Sequence, residues 1–132
     1  MGMLNLFEPP EYLQKLRSIY DDMSNPEKMV AETLTKMGLW WNYEQPVFVV
    51  DDKERPRVWT PDFYIPRLGI YIEVCGAERD ESYNFRREVY FANSIPVVFV
   101  QTYKKDKWLD YMIGEINKIH EMRWEIIKNM KI

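Results

Sequence analysis

Two kinds of apolar spacing divide this chain of 132 residues. Apolar positions three or four apart predict helices, and alternating or continuous apolar positions predict strands. Leu13, Leu16 and Ile19 or Tyr20 predict a first helix within PPEYLQKLRSIYDDM. SNPEKMVAETLTKMG predicts a second, with Ser24 as N-cap, Pro26 in the first turn and Gly38 as the stop. YEQPVFVV and VWTPDFYI predict two strands around the polar loop DDKERPR, and IYIEV predicts a third. RDESYNFRREVYFAN predicts another helix, and the unbroken apolar run IPVVFVQ predicts a buried strand. From Lys107 to Met130 the apolar residues Leu109, Met112, Ile113, Ile116, Ile119, Ile126 and Met130 predict a long closing helix. The order α-α-β-β-β-α-β-α is that of an α/β (α+β) chain with a small mixed central sheet flanked by helices. One domain is expected over 1–132: a helical extension at 1–23, a core at 24–101 and a C-terminal helix at 102–132.

Charge and cysteine content narrow the function classes. A net charge of −3 and a pI near 5.3 argue against a simple basic nucleic-acid binder. They leave open an enzyme acting on nucleic acid, because bound divalent cations offset the acids of a site. The single cysteine excludes an internal disulfide and a multi-cysteine zinc site, and fits a reducing intracellular, cytoplasmic setting. The single histidine, His120, excludes a His-rich metal site and falls mid-way along the last helix, where a surface or packing role is expected. No apolar run reaches the roughly 18 residues of a membrane span, and MGMLNLFEPPEY has no secretory leader pattern. The basic clusters KERPR, RR and KKDK are accounted for first as solvated surface.

The chemistry concentrates in TPDFYIPRLGIYIEVCG, residues 60–76. PRLG is a turn signal between two strands. A two-residue loop, Arg67-Leu68, or a four-residue loop, Pro66 to Gly69, sets Asp62 opposite Glu73 in either case. Alternation then sorts the side chains. Phe63, Ile65, Ile70, Ile72 and Val74 form a core face; Thr60, Asp62, Tyr64, Tyr71, Glu73 and Cys75 share the other. Opposed side chains lie about 5 Å apart at Cβ, where two like charges destabilise a sheet. The second face offers no basic partner of its own, and a cation between the acids would reverse the sign. Mg²⁺ suits such a site, since it takes oxygen ligands from one or two carboxylates plus waters and phosphate. The alternative is the wet face of an ordinary hairpin. Glu27 is a third acid of interest: SNPE matches a capping box of Ser24 with Glu27, yet Glu27 also lies on the inward stripe with Val30 and Leu34.

These residues resemble the PD-(D/E)XK nuclease superfamily, in its resolvase and very-short-patch-repair-like branches. The resemblance covers Ser24 to Gln101: a helix bearing Glu27, a literal Pro61-Asp62, the Ile72-Glu73-Val74-Cys75 segment, a helix with basic residues and the PVVFV strand. It implies a restriction-endonuclease-like αβββαβ core and Mg²⁺- or Mn²⁺-dependent hydrolysis of phosphodiester bonds in DNA, ahead of RNA. Asp62 and Glu73 would hold the metal, with the backbone carbonyl of Val74 as a third ligand, and Glu27 would orient a metal-bound water or second ion. Gln101 would contact phosphate or a metal water, and Lys104 and Lys105 nucleic acid. The family's lysine, two residues after the second acid, is Cys75 here. A thiol supplies no positive charge, so a basic residue of the next helix is expected to substitute, from Arg79, Arg86 and Arg87, with Arg87 placed among the catalytic residues. The alternative is a catalytically inactive nuclease fold that binds nucleic acid or a protein partner. Tyr64 and Tyr71 would line a substrate groove. Trp40, Trp41 and Tyr43 are expected to anchor the sheet edge, and Trp108 and Trp124 to serve the core or a homodimer surface.

Overall fold

Ser24 starts the first helix as its spacing predicts. Its hydroxyl accepts the Glu27 N–H at 3.3 Å while the Glu27 carboxylate takes the Ser24 N–H at 3.2 Å, a reciprocal cap. The computed structural model describes residues 18–76 and 81–130. Helix α1 spans Asn25–Lys36, and the chain leaves it through Gly38 at φ 76°, backbone that glycine adopts without strain. Strands β1 (Asn42–Tyr43), β2 (Val47–Val50), β3 (Pro56–Trp59), β4 (Phe63–Ile65) and β5 (Ile70–Cys75) follow. Helix α2 (Glu81–Ala92), strand β6 (Val97–Gln101) and helix α3 (Trp108–Lys128) complete the described chain. Where a first helix was expected, Ile19–Asp22 form one 3₁₀ turn capped by Ser18. Leu13 and Leu16 lie outside the described residues.

The central sheet is mixed, in the order β1-β4-β5-β6, with β5 and β6 parallel and joined through α2. The β4–β5 register pairs Phe63 with Ile72, Tyr64 with Tyr71 and Ile65 with Ile70. The connecting loop is the four-residue one. The Leu68 and Gly69 N–H groups both return to the Ile65 carbonyl, and Gly69 takes φ 63°. Arg123 of α3 locks this loop by donating to the Leu68 and Gly69 carbonyls, the latter at 2.8 Å.

One face of the sheet is covered by α1 and α3. Val30, Ala31 and Leu34 meet Phe63, Ile65, Ile70, Ile72, Val98 and Val100, with Trp108, Met112 and Ile116 closing the layer. The opposite face, expected to be polar, carries a second core. Val47, Val49, Cys75, Val89, Tyr90 and Phe99 cluster there under α2 and a two-stranded ribbon of β2 and β3.

That ribbon is a departure from the expected order. VWTPDFYI is not one strand. β3 pairs only with β2, the chain breaks at Thr60-Pro61-Asp62, and β4 begins at Phe63 in the other sheet. Pro61 has no N–H to give a ladder, which favours a break there. β1 was also not expected; it pairs with the start of β4. The ribbon docks through Asn93 at the end of α2, whose amide accepts the Val50 N–H and donates to the Val50 carbonyl, both at 2.9 Å. Asp51 pins its loop, accepting from the backbones of Lys53 and Arg55 and from the Arg55 and Arg57 guanidiniums. Those bonds hold the Asp51 carboxyl down at about 2.

Beyond the sheet, α3 runs on with Met122, Trp124, Ile126 and Ile127 exposed, and Met130 past its end is exposed too, so Trp108 serves the core and Trp124 does not. No described helix is long and apolar enough to cross a membrane.

Replacing Asn93 by Ala removes both ribbon bonds. Unfolding in urea is expected to register a loss of about 1–2 kcal/mol, with amide exchange at Val49 and Val50 accelerating more than in β5. Equal protection of the ribbon in both proteins would show that the bonds do not hold it.

Candidate active site

Asp62 occupies the break between the two sheets, and its position follows from the β4–β5 register. It stands one residue before β4, against the stretch of β5 that holds Glu73 and Val74. Asp62 Oδ2 accepts the Val74 N–H at 2.6 Å, a short bond of the kind charged acceptors form. Glu73 points the other way from Ile72, into the second core, and is 3% exposed. The Asp62 backbone carbonyl accepts the N–H of Glu44, held at φ 55° just after β1.

α1 brings a third carboxylate to this end of the sheet. Pro26 lies beside Gly76, where an added Cβ would meet the proline Cγ at 3.5 Å. The next residue, Glu27, divides its two oxygens. Oε1 completes the cap, also taking the Ser24 hydroxyl at 2.8 Å, and Oε2 accepts the Tyr43 hydroxyl at 2.6 Å. The structural cap and the inward placement therefore coexist. The charge on Glu27, together with burial, drives the Tyr43 phenol far above its usual range.

The basic partner comes from α2. Arg86 Nη1 donates to Glu73 Oε2 at 2.8 Å, and its guanidinium lies 5.1 Å from the Tyr83 ring centroid. The expectation that the acid pair has no basic partner is corrected here, because a helix packed on that face supplies one. Arg87, placed among the catalytic residues from sequence, instead lies over the Phe99 ring at 4.8 Å and donates to Asn84. Arg79 lies outside the described residues. Tyr90, one helical turn after Arg86, is 1% exposed and its hydroxyl is buried without a hydrogen-bond partner.

Burial dominates the electrostatics. It pushes the Asp62 carboxyl up to about 6, helped by the charges of Glu27 and Glu44 and opposed by the Val74 N–H and Arg86. It pushes Glu73 up to about 7, helped by Asp62 and Glu27 and opposed by Arg86 and Tyr90. Three acids and Glu44 thus act on one another here, with Arg86 as the nearby cation named among the causes.

The remaining expected residues fall around this centre. Cys75 is 1% exposed inside the second core, so an ammonium at position 75 would be buried there. That is a packing reason for the missing lysine. Gln101 pairs in register with Cys75 at the end of β6. Lys104 donates its N–H to the Gln101 carbonyl, and it and Lys105 are exposed on the turn leaving that end. Tyr64 and Tyr71 stack with centroids 4.5 Å apart on the acid face. His120 is exposed on α3.

Whether a divalent cation suits these residues depends on their free oxygens. The Val74 bond falls on Asp62 Oδ2 and the Arg86 bond on Glu73 Oε2, which leaves Asp62 Oδ1 and Glu73 Oε1 as the oxygens that would turn to a cation. Two hard carboxylate donors, both pushed up by burial and by neighbouring acids, fit Mg²⁺ or Mn²⁺. Val74 meets the pair through its N–H. No group of three His, Cys, Asp or Glu side chains among the described residues could hold a metal ion, so Glu27 is not a third ligand in this arrangement. The chain matches no protein-family model, no curated protein and no solved structure.

The acid pair sets a pH signature. Both carboxyls have raised folded pKa values, so the folded chain keeps protons that the unfolded chain has released. Their contribution is neutral below about pH 4 and grows more destabilising as pH rises to about 7, by up to a few kcal/mol for the pair. Asp51 acts oppositely, and its support is lost as pH falls from about 4 to about 2. In urea titrations, the stability of Asp62→Asn relative to the native chain is expected to rise between pH 4 and 7. A difference independent of pH would contradict the raised carboxyl.

Proposed function

We propose that this protein is a divalent-cation-dependent phosphodiesterase that hydrolyses DNA. The observation that carries this is the Asp62–Glu73 carboxylate pair, half-buried and buried respectively, with Asp62 held by the Val74 N–H and Glu73 paired with one arginine from the next helix. Buried acids with strongly raised pKa values are costly to a fold and mark candidate sites of function.

Asp62 and Glu73 would hold Mg²⁺ or Mn²⁺, whose chemistry is to activate water and to neutralise charge building on phosphate oxygens. The bond from Val74 fixes Asp62 in orientation without using its second oxygen. Arg86 takes the place left by the missing lysine. Once Glu73 turns to a cation, the guanidinium is free to pair with a phosphate, for which its fork geometry is suited. Arginine stays protonated, so Arg86 positions and neutralises and does not act as a base. Glu27, whose charge acts on both acids, would orient water at the edge of the site. Gln101, Lys104 and Lys105, at the same end of the sheet, would meet the DNA backbone. Phosphate contacts of this kind give position and salt dependence without sequence choice.

A second reading is favoured by the Arg86–Glu73 pair itself. An acid already neutralised at 2.8 Å is satisfied without metal, as in a non-catalytic nucleic-acid-binding fold. The two separate by experiment. With Mn²⁺ or Mg²⁺ and plasmid, single-stranded and branched DNA, the native chain is expected to cleave and Asp62→Ala to lose at least about 100-fold. Arg86→Ala is expected to lose about 10- to 100-fold, and Arg86→Lys to regain part of it. Millimolar Mn²⁺ at pH 7.5 is expected to raise Tm in the native chain and not in Asp62→Asn. Cleavage that survives Asp62→Ala removes the site assignment, and DNA binding without cleavage by any metal selects the second reading.

A further inference from the structure

We infer that the Tyr90 hydroxyl is a reserved hydrogen-bond donor, held for an oxygen of a phosphodiester bound at the acid pair. The inference rests on the phosphodiesterase reading above and adds to it a residue that neither the motif nor its spacing identifies.

Buried hydroxyls nearly always find a partner, because leaving one unsatisfied is costly. Among the described residues, Tyr90 carries the buried side-chain polar atom that has none. Its ring is held on three sides: Trp59 meets it edge-on with centroids 5.3 Å apart, Phe99 lies at 6.2 Å, and Val89 belongs to the same cluster. The phenol is therefore fixed in place. Its oxygen lies within reach of the acid pair: burial and the charges of Glu73 and Asp62 raise its pKa, and the charge of Arg86 opposes them. A phenol is a hydrogen-bond donor at neutral pH without any shift.

The Tyr90 hydroxyl leans on Glu73 as a weak donor that lowers the Glu73 pKa, yet it does not reach full hydrogen-bond geometry, while Arg86 takes Glu73 Oε2 at 2.8 Å. Arg86 is also the member of that pair open to solvent, its side chain 36% exposed against 4% for Glu73. A ligand that draws Arg86 outward thereby uncovers the carboxylate and the phenol together. Arg86 and Tyr90 lie one turn apart on α2, so the two roles of an absent lysine, positive charge and hydrogen-bond donation, would be divided between them. The acceptor is an anionic oxygen, because an arginine and a neutral phenol beside a carboxylate that would hold a cation suit a metal-bound phosphate better than a second amine.

The test is Tyr90→Phe in the full chain, which deletes one oxygen and keeps the ring packing. A hydroxyl without a partner costs nothing to remove, so the expected Tm without metal is unchanged or higher. A fall of more than about 4 °C would show a structural hydrogen bond to Glu73 and overturn the inference. With Mn²⁺, kcat on DNA is expected to fall about 100-fold with KM changed far less. Native-like kcat in Tyr90→Phe overturns the inference and leaves the nuclease reading standing. If the native chain cleaves no DNA, the nuclease reading fails, and anisotropy of a fluorescein-labelled duplex with Ca²⁺ decides for Tyr90. Binding weakened about tenfold in Tyr90→Phe supports the donor role; equal binding, or no binding by either protein, overturns it.

Discussion

The site depends on the register of one hairpin. Asp62 meets Val74 and stands by Glu73 because the four-residue turn Pro66 to Gly69 pairs Phe63 with Ile72. A slip of one residue would turn Glu73 toward α1 and α3, and Ile72 toward α2. The first exchange sets the Glu73 carboxylate in the larger apolar layer, away from Arg86, which disfavours the slipped register. Arg123 adds a second restraint from 54 and 55 residues away, holding the turn carbonyls from the far end of α3. The apolar alternation of β4 and β5 and the backbone of the turn therefore specify the same pairing, and the acids are carried with it.

Alternation made the faces legible but not their covers. Phe63, Ile65, Ile70 and Ile72 were assigned to a core from spacing alone, and they are all buried in it. The opposite face was expected to be polar because it holds Asp62, Glu73 and two tyrosines. What covers it is set by packing between segments distant in sequence, of α2 and the β2–β3 ribbon on β5 and β6, which no local pattern encodes. The choice between Arg86 and Arg87 was a matter of helical phase. Arg86 shares a stripe with Val89 and Tyr90, both buried, while Arg87 is one step around the helix. That signal was present in the sequence. So was Pro61, whose missing N–H argued against one continuous strand through Thr60 and Asp62. Glu44 and the short strand before it left no comparable trace.

Cys75 changes meaning once that cover is known. In sequence it was a gap in a motif, a thiol where a positive charge was expected. In the structure it is a small side chain in a cluster with Val47, Val49, Val89, Tyr90 and Phe99. The ribbon and α2 close over the position, so a long charged side chain there would lose its water. The positive charge reaches Glu73 from α2 instead, where Arg86 is anchored on a helix and keeps one side in solvent. The same closure that excludes a lysine also brings in Tyr90.

A buried ion pair is weak evidence for stability, because the desolvation of both charges offsets their attraction. Here the balance is worse than for a simple pair, since the acids outnumber the nearby cation and both carboxyls are pushed above their usual range. An apolar residue at Glu73 would let β5 pack on α2 without that cost. The fold instead spends stability on holding two carboxylates and an unpartnered phenol against each other. A bound cation would relieve the carboxylates, and an anionic oxygen would satisfy Arg86 and Tyr90. A metal-bound phosphate would meet both requirements together, where the protein alone offers Glu73 one arginine and Tyr90 no full partner.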